Sequence, residues 1–509
     1  MKAVSGCACM FLLIGCTQVN RIRRTAWQQT PKSPSSPFTA SSAFAADSTS
    51  TGAFESSSAS KGEGASRGVP SAMMPDPNIS GRTLTLADSI RIALERNPQT
   101  RISWRESLSA AARAGEVSSA YWPDVEISSS AVRADQAAVG NAKDQGAIST
   151  YNTSLGLHYL LFDAGIRSNQ VKSATAELLA ANFRHNATMQ EVAFHVEETY
   201  YDLLTAGWMV KVTEDSLKQA ERHCQLAEAR HAAGMAIHSD VLKAETEKAQ
   251  AALALVQARS AERIARGQLA DAMGVAVSQD FAIADVSSDL HKQEIADIDR
   301  LFQEAVKMRP EAQASLSRIE TREAQVRAEQ GRYWPSLTAD ASYGWRDDIF
   351  LPEKDEWSIG VGLHWPLFTG FEREYRIERA KSDLAEAQAE YEKTLHGVEL
   401  EVWTAYVNVL EADEAIGAAE ALVRSAQENA LATEAEYKNG TGTVIDLIDA
   451  QNSLTSAKAR FIQARLGWYK ATARLEKSIG SLLAGNIQSI GYMPSASQGR
   501  PNHEQGGTK

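Results

Sequence analysis

Apolar and polar positions alternate along some stretches of this chain and follow a helical period along others. Between Trp357 and Thr369, the residues Trp357, Ile359, Val361, Leu363 and Trp365 share one parity, while Ser358, Gly360, Gly362 and His364 share the other. A period of two predicts a β-strand with one oily and one polar face. Leu337, Ala339, Ala341, Tyr343 and Trp345 repeat the pattern against Ser336, Thr338, Asp340, Ser342 and Gly344. Tyr151, Thr153, Leu155, Leu157, Tyr159 and Leu161 do so against Asn152, Ser154, Gly156 and His158. A weaker fourth strand runs from Val125 to Val132. The four form two hairpins with polar turns. Their polar parity is small and wet, and aromatics end the apolar parity. That pattern fits strands whose oily side meets lipid and whose other side lines an aqueous lumen. A soluble sandwich would show many more strands at regular spacing.

The rest is helical. A short helix with Leu86, Ile90, Ala93 and Leu94 on one face stops at Asn97-Pro98, and a second ends near Tyr121-Trp122-Pro123. One long helix is predicted over 166–232, roughly 100 Å at 1.5 Å per residue. It breaks at Gly234, and a helix returns over 239–274. Val192, Val196, Thr199, Leu203, Ala206, Val210, Thr213, Leu217, Ala220 and Cys224 step by three and four. Sustained heptads mean helices packed side by side along their length.

The same order then repeats. Asn97-Pro98 and Tyr121-Trp122-Pro123 return as Arg309-Pro310 and Tyr333-Trp334-Pro335, at an offset of 212. Tyr200, Leu204, Gly234, Asp240 and Gly274 return as Tyr406, Leu410, Gly440, Asp446 and Gly480, at an offset of 206. The offset changes inside the strand pairs, so the first hairpin loop is about six residues longer. The second seam runs Val398, Val402, Ala405, Val409, Ala412, Ile416, Ala419, Val423, Ala426, Ala430. Cys224 answers to Ala430, which marks it as a packed residue and not a nucleophile. The chain is a tandem duplication of one unit. The first copy spans 83–285, with its hairpin at 122–162. The second spans 286–484, with its hairpin at 334–368, long helix at 372–438 and return helix at 443–480.

Composition narrows the function. The chain has 509 residues, is 43% hydrophobic and carries net charge −12. No run of about 20 apolar residues predicts a transmembrane helix, and the acidic balance argues against a nucleic-acid partner. Four cysteines make no disulfide framework. No phosphate loop, nucleophile–base set or Cys/His ligand cluster is present, so neither catalysis nor a cofactor is expected.

Residues 1–15 read as a signal peptide, with Lys2 ahead of the apolar run Ala8 to Ile14. Leu13-Ile14-Gly15-Cys16 resembles a bacterial lipobox, which implies a lipidated Cys16. The alternative is an ordinary signal with an incidental cysteine. Thr17 rather than Asp after Cys16 implies, in that resemblance, delivery to the outer membrane. Residues 16–82 are the lipidated N-terminus and a Ser-rich tether too poor in large apolar residues to fold. Residues 485–509 are expected to be a disordered tail.

With two such units and this lipobox, the sequence resembles a TolC-like outer membrane efflux protein of the lipoprotein branch. The resemblance covers about 84–484. Its marks are the two Tyr-Trp-Pro segments, Leu-Phe-Asp-Ala-Gly at 161–165, Leu-Phe-Thr-Gly at 367–370, and Gly-Thr-Gly-Thr-Val-Ile-Asp-Leu-Ile-Asp-Ala-Gln at 440–451. It implies an α+β membrane protein in which long coiled coils form a periplasmic α-barrel. Four strands per chain would contribute to a trimeric 12-stranded β-barrel. It implies a homotrimer, a periplasmic adaptor and an inner-membrane transporter of RND, ABC or MFS type. The strands alone point the same way. Four cannot close a membrane barrel, and open edges are not tolerated in lipid.

Within that resemblance, Asp446 and Asp449 match acidic rings at the closed end of the tunnel. Asp240 and Tyr437 match further gate positions. A basic residue often present at the position of Gly442 is missing. Read locally, Thr443-Val-Ile-Asp446 is also a capping box, and Tyr437 can be a seam aromatic. Gly234 and Gly440 suit helix C-caps; the resemblance adds adaptor docking at those turns. His158 and His364 read as lumen-wall residues far from acidic partners, and His231 and His238 as solvated surface. The expected function is a passive exit duct for efflux or type I secretion. The alternatives are a periplasmic adaptor lipoprotein and a structural coiled-coil envelope lipoprotein.

Overall fold

Both halves of the chain lay down the same elements in the same order. The computed structural model describes residues 79–135, 147–285, 297–350 and 354–482. The first half runs β1 (Thr83–Leu84), α1 (Leu86–Arg96), α2 (Pro98–Ser118), β2 (Asp124–Asp135), β3 (Ala147–Phe162), α3 (Ile166–Ala232) and α4 (His238–Ala272). The second runs β4 (Ala282–Ile283), α5 (Ile298–Met308), α6 (Pro310–Gly331), β5 (Ser336–Asp347), β6 (Asp355–His364), α7 (Glu372–Asn439) and α8 (Val444–Ile479). The signal peptide, Cys16, most of the tether and the 485–509 tail lie outside the described residues.

The chain divides into two compact units, each drawing on both halves. One takes Ile102–Ala187 and Pro310–Gly397. It holds a four-stranded antiparallel sheet in the order β2-β3-β5-β6. The two expected hairpins are thus joined through β3 and β5. Asp124 pairs with His158 and Ser336 pairs with His364. Shifting the first pair by 212 and 206 gives the second, so the hairpins share one register. Of the six-residue difference, four residues lie in the connections, 11 between Asp135 and Ala147 against 7 between Asp347 and Asp355, and two in β3, which starts two residues earlier than β6 in the shared register. The last strand is shorter than its alternation suggests and ends at His364 rather than near Thr369. Pro366 has no N–H to continue a ladder, and the Trp365 indole donates instead to the Tyr333 carbonyl at 3.1 Å.

Each strand-to-helix junction in this unit is a tight reversal. Ala164 and Gly165 have φ of 53° and 84°; their counterparts Gly370 and Phe371 have 65° and 68°. Asp163 caps the first junction by accepting from the Arg167 backbone N–H at 2.7 Å. The Arg167 guanidinium stacks on Tyr121 at 5.1 Å, as Arg373 does on Tyr333 at 5.0 Å. This explains the tyrosine that opens each Tyr-Trp-Pro segment: its ring is the platform for the first arginine of a long helix.

The other unit takes Thr188–Arg309 and the described parts of Ser33–Arg101 and Val398–Lys509. Its largest core packs α1, α3, α4 and α8 around Ile90, Val196, Tyr200, Leu269 and Met273, each at most 1% exposed. The parallel pair β1–β4 was not anticipated. Two-residue strands are too short to show a period; the buried Tyr200 hydroxyl marks this one by donating to the Ala284 and Leu84 carbonyls at 2.7 and 3.3 Å. Gly274 and Gly480 seal two equivalent elbows. A Cβ on Gly274 would lie 2.8 Å from Asn97 Cα, and one on Gly480 would lie 3.0 Å from the Met308 carbonyl carbon. The seams are as expected. Val398, Val402, Ala405, Val409, Ile416 and Ala430 are buried, and so are Val192, Val196, Leu203, Ala220 and Cys224. Cys224 packs among Ala227, Val241 and Ala244 across α3 and α4.

Candidate functional site

The candidate residues fall in two places: the faces of the sheet in the first unit and the hairpin tips in the second.

Antiparallel partners share a face, so the register sorts every strand residue. One face collects Val125, Ile127, Leu155, Leu157, Ala341, Tyr343, Trp357, Ile359, Val361 and Leu363. Ile127, Trp357, Ile359, Val361 and Leu363 are each between 68% and 78% exposed. Such a continuous oily face belongs against lipid or another apolar surface rather than water. The opposite face collects Ser128, Ser154, Ser342, Ser358, Asn152, Gly360 and Gly362. Its hydroxyls pair across strands, Ser128 with Ser154 at 3.0 Å and Ser342 with Ser358 at 2.9 Å.

His158 lies on this polar face. The sequence reading kept it apart from acids; the structure corrects that, because its Nδ1 is 2.6 Å from Asp340 Oδ1. The two are directly opposite in the β3–β5 ladder. That pairing joins residues 182 apart in sequence, so no spacing within one hairpin could reveal it. His364 pairs in register with Ser336.

At the tips, Gly234 and Gly440 end α3 and α7 with φ of 73° and 80°. The next N–H in each case reaches back to a helix carbonyl, Met235 to Arg230 at 2.8 Å and Thr441 to Glu436 at 3.0 Å. These are left-handed C-caps, where a side chain would be strained.

Asp446 forms the reciprocal cap that its spacing predicts. The Thr443 hydroxyl donates to its carboxylate at 2.6 Å, and the Asp446 N–H donates back to that hydroxyl at 3.3 Å. The hydroxyl bond, and then the Thr443 backbone N–H donating to the same carboxylate at 3.2 Å, hold the exposed Asp446 carboxyl below the usual range. Asp449 is exposed on the same side of α8, while Val444, Leu447 and Ala450 turn inward. Asp240 occupies the first turn of α4 and pairs with Lys243 at 3.5 Å.

Tyr437 is not at a surface of the single chain. It is 3% exposed and packs with Val444, Leu447 and Leu226. Arg230 holds it: the guanidinium carbon sits 4.5 Å from the ring centre, and Nη1 donates to the Tyr437 carbonyl. Burial pushes the phenol pKa up. Sequence reasoning missed Arg230, because its counterpart in the second half is Glu436 and repeat symmetry therefore gave no signal.

Sequence reasoning also missed Glu197 on α3, which is 6% exposed. Burial, then the nearby Glu476 charge, raise its pKa to about 7, against an opposing hydrogen bond from Tyr201 at 3.2 Å. Its other oxygen, Oε2, has no partner. Among the described residues no helix is long and apolar enough to cross a membrane. None of them form a group of three or more metal-ligating side chains.

The model of the outer membrane efflux protein family matches residues 89–275 and 301–481. Protein CyaE of Bordetella pertussis is 26% identical over 404 residues, covering 78% of this chain and 84% of that protein. Outer membrane efflux protein BepC of Brucella suis is 23% identical over 350 residues, covering 68% and 76%. The outer membrane protein VceC of Vibrio cholerae superposes with a TM-score of 0.69 at 20% identity, covering 78% of this chain and 96% of that one.

Proposed function

The chain belongs to the outer membrane efflux protein family, and from that premise we infer how its parts make a passive exit duct. It is an outer membrane channel that extends into the periplasm, trimeric, and joined to a periplasmic adaptor and an inner-membrane transporter. The observation that carries the reading is the sheet: one face is oily and exposed along four strands, the other is lined by serines, and both edges, β2 and β6, are open. Open edges in lipid must be closed by other strands. Three copies supply twelve, a size in keeping with membrane barrels.

In this reading the duct is not an enzyme, and the transporter supplies the energy. Asp446 and Asp449, three of each in the trimer, form the acidic lining of the tunnel's narrow end, with Asp240 alongside. Their shared exposed side of α8 supports this. Tyr437 holds the tip closed from within, gripped by Arg230 rather than by a residue at Gly442. The turns at Gly234 and Gly440 receive the adaptor. Cys16 carries the lipid, and residues 16–82 link it to the folded chain; Cys16→Ala should abolish acyl labelling while trimers persist. Cargo is left open by a wall of small hydroxyls and glycines, which selects little.

The test is migration of the protein from outer-membrane fractions. A band at three times the chain mass in mild detergent, collapsing to one on heating, is expected. A single-chain band without heating, or fractionation with the soluble periplasm, would overturn the duct and favour the adaptor alternative.

A further inference from the structure

The turn between α3 and α4 brings two histidines together. His231 ends the last turn of α3 and His238 opens α4, and the chain reverses at Gly234 between them. Their ring centroids are 5.5 Å apart with the planes inclined at 40°. Both side chains are exposed. His231 Nδ1 is 2.9 Å from the Ala236 carbonyl oxygen. A carbonyl can only accept, so Nδ1 carries the hydrogen, and in the neutral ring the lone pair is on Nε2.

These are the features of a chelating pair. Zn–N bonds of about 2.0–2.1 Å at a tetrahedral angle hold two bound imidazoles with centroids roughly 5 Å apart. Ligating histidines usually donate their other ring N–H to a carbonyl or carboxylate, which fixes the tautomer and aims the lone pair. The Ala236 carbonyl does this for His231. Both rings are open to ions from solvent. The second half has no such pair: Tyr437 and Val444 stand where His231 and His238 do, and both are buried. The feature therefore does not come from the duplicated architecture.

We propose that His231 and His238 form a two-imidazole site for a borderline divalent transition-metal ion such as Zn²⁺ at the α3–α4 turn, with water completing the coordination. A bound ion would tie the end of α3 to the start of α4 across the glycine reversal, and so stiffen that turn. The proposal concerns binding by one chain and stands whether or not the tip acts as a gate.

The test is isothermal titration of full-length, tag-free, detergent-solubilised protein with ZnCl₂, followed by Co²⁺ for its visible spectrum. One saturable Zn²⁺ per chain and a tetrahedral Co²⁺ band are expected. His231→Gln and His238→Gln should each abolish this binding event and the band, while helical circular dichroism and trimer migration match the parent. His158→Gln, on the distant-in-sequence polar strand face, should leave both signals intact. No saturable binding in the parent, or binding unchanged when both tip histidines are replaced, overturns the proposal. Loss of binding in His158→Gln with retention in the tip variants moves the metal to the strand pair and overturns it equally.

Discussion

Arg230 grips Tyr437 at two points, with its guanidinium over the ring at 4.5 Å and an N–H on the tyrosine's own carbonyl. One residue ends the long helix of the first half and the other ends that of the second, so this contact ties the two tips together. Arg230→Ala should remove a partly desolvated cation–π contact and destabilise the tip by roughly 1–2 kcal/mol. If the clasp restrains opening, single-channel conductance in planar bilayers should rise. Tyr437→Phe should be neutral or slightly stabilising in both assays, since the phenol oxygen is buried without a partner. A conductance unchanged in Arg230→Ala would leave the contact a purely structural one.

Asp446 and Asp449 offer a charge test. With three chains around an axis, six carboxylates would crowd one opening and favour cations, an effect that salt weakens over about 10 Å at 0.1 M. Replacing both by Asn should lower cation preference in reversal-potential recordings. Capping alone forecasts no selectivity change, and its own probe is Thr443→Ala, which should cost about 1 kcal/mol of helix stability. The pH sense is definite. The Thr443 bonds lower the folded Asp446 pKa, so the cap is complete at neutral pH and is lost only as pH falls through that lowered value.

The strand faces make a directional forecast. Val361 is 68% exposed on the oily face, opposite Ala339. An arginine there, near the middle of the bilayer, should cost roughly 2–4 kcal/mol and reduce heat-modifiable trimers. The control on the polar face should be Gly360→Ser, because a Cβ at Gly360 meets nothing within 4 Å, whereas one at Gly362 would meet Thr338 Oγ1 at 2.9 Å. Gly360→Ser should assemble like the parent; the reverse ranking would invert the faces.

Glu197 predicts an alkaline weakness. Its folded pKa is raised to about 7 by burial and by Glu476, so between the ordinary carboxylate range and pH 7 the folded chain holds a proton that the unfolded chain has lost. Stability therefore falls as pH rises through that window. The full shift corresponds to about 3 kcal/mol at 1.36 kcal/mol per unit. Glu197→Gln should melt higher than the parent at pH 8 and near the parent at pH 5. Parallel melting curves for the two proteins across that range would contradict the assignment.

What the sequence made legible follows from periodicity. Helices α3 and α7 were readable nearly to the residue because their seams repeat for tens of positions, and the strand faces because parity is a strict rule. Gly234 and Gly440 were readable because only a few residue types tolerate their backbone. Contacts between the halves were not readable. His158–Asp340 depends on which hairpin lies beside which, and Arg230–Tyr437 joins residues that do not correspond under the repeat. The β1–β4 pair is too short for any pattern. Phe371 shows a further limit: at φ of 68° it occupies a conformation that usually asks for glycine, as its counterpart Gly165 supplies.

The hairpins keep one register yet differ by six residues beyond it. A single residue added inside a paired strand would turn every later side chain to the wrong face. Asp135 and Ala147 are the last pair of the first ladder, and the length difference between the hairpins falls beyond the register they share. In a barrel whose helices leave from the Asp124 and Phe162 ends of these strands, the Asp135 and Ala147 ends would face the cell exterior, and the chain between them is the place for an insertion. A foreign peptide spliced into it should be displayed to antibodies on living cells, while the same splice a few residues earlier, within β2, should leave no barrel to display it.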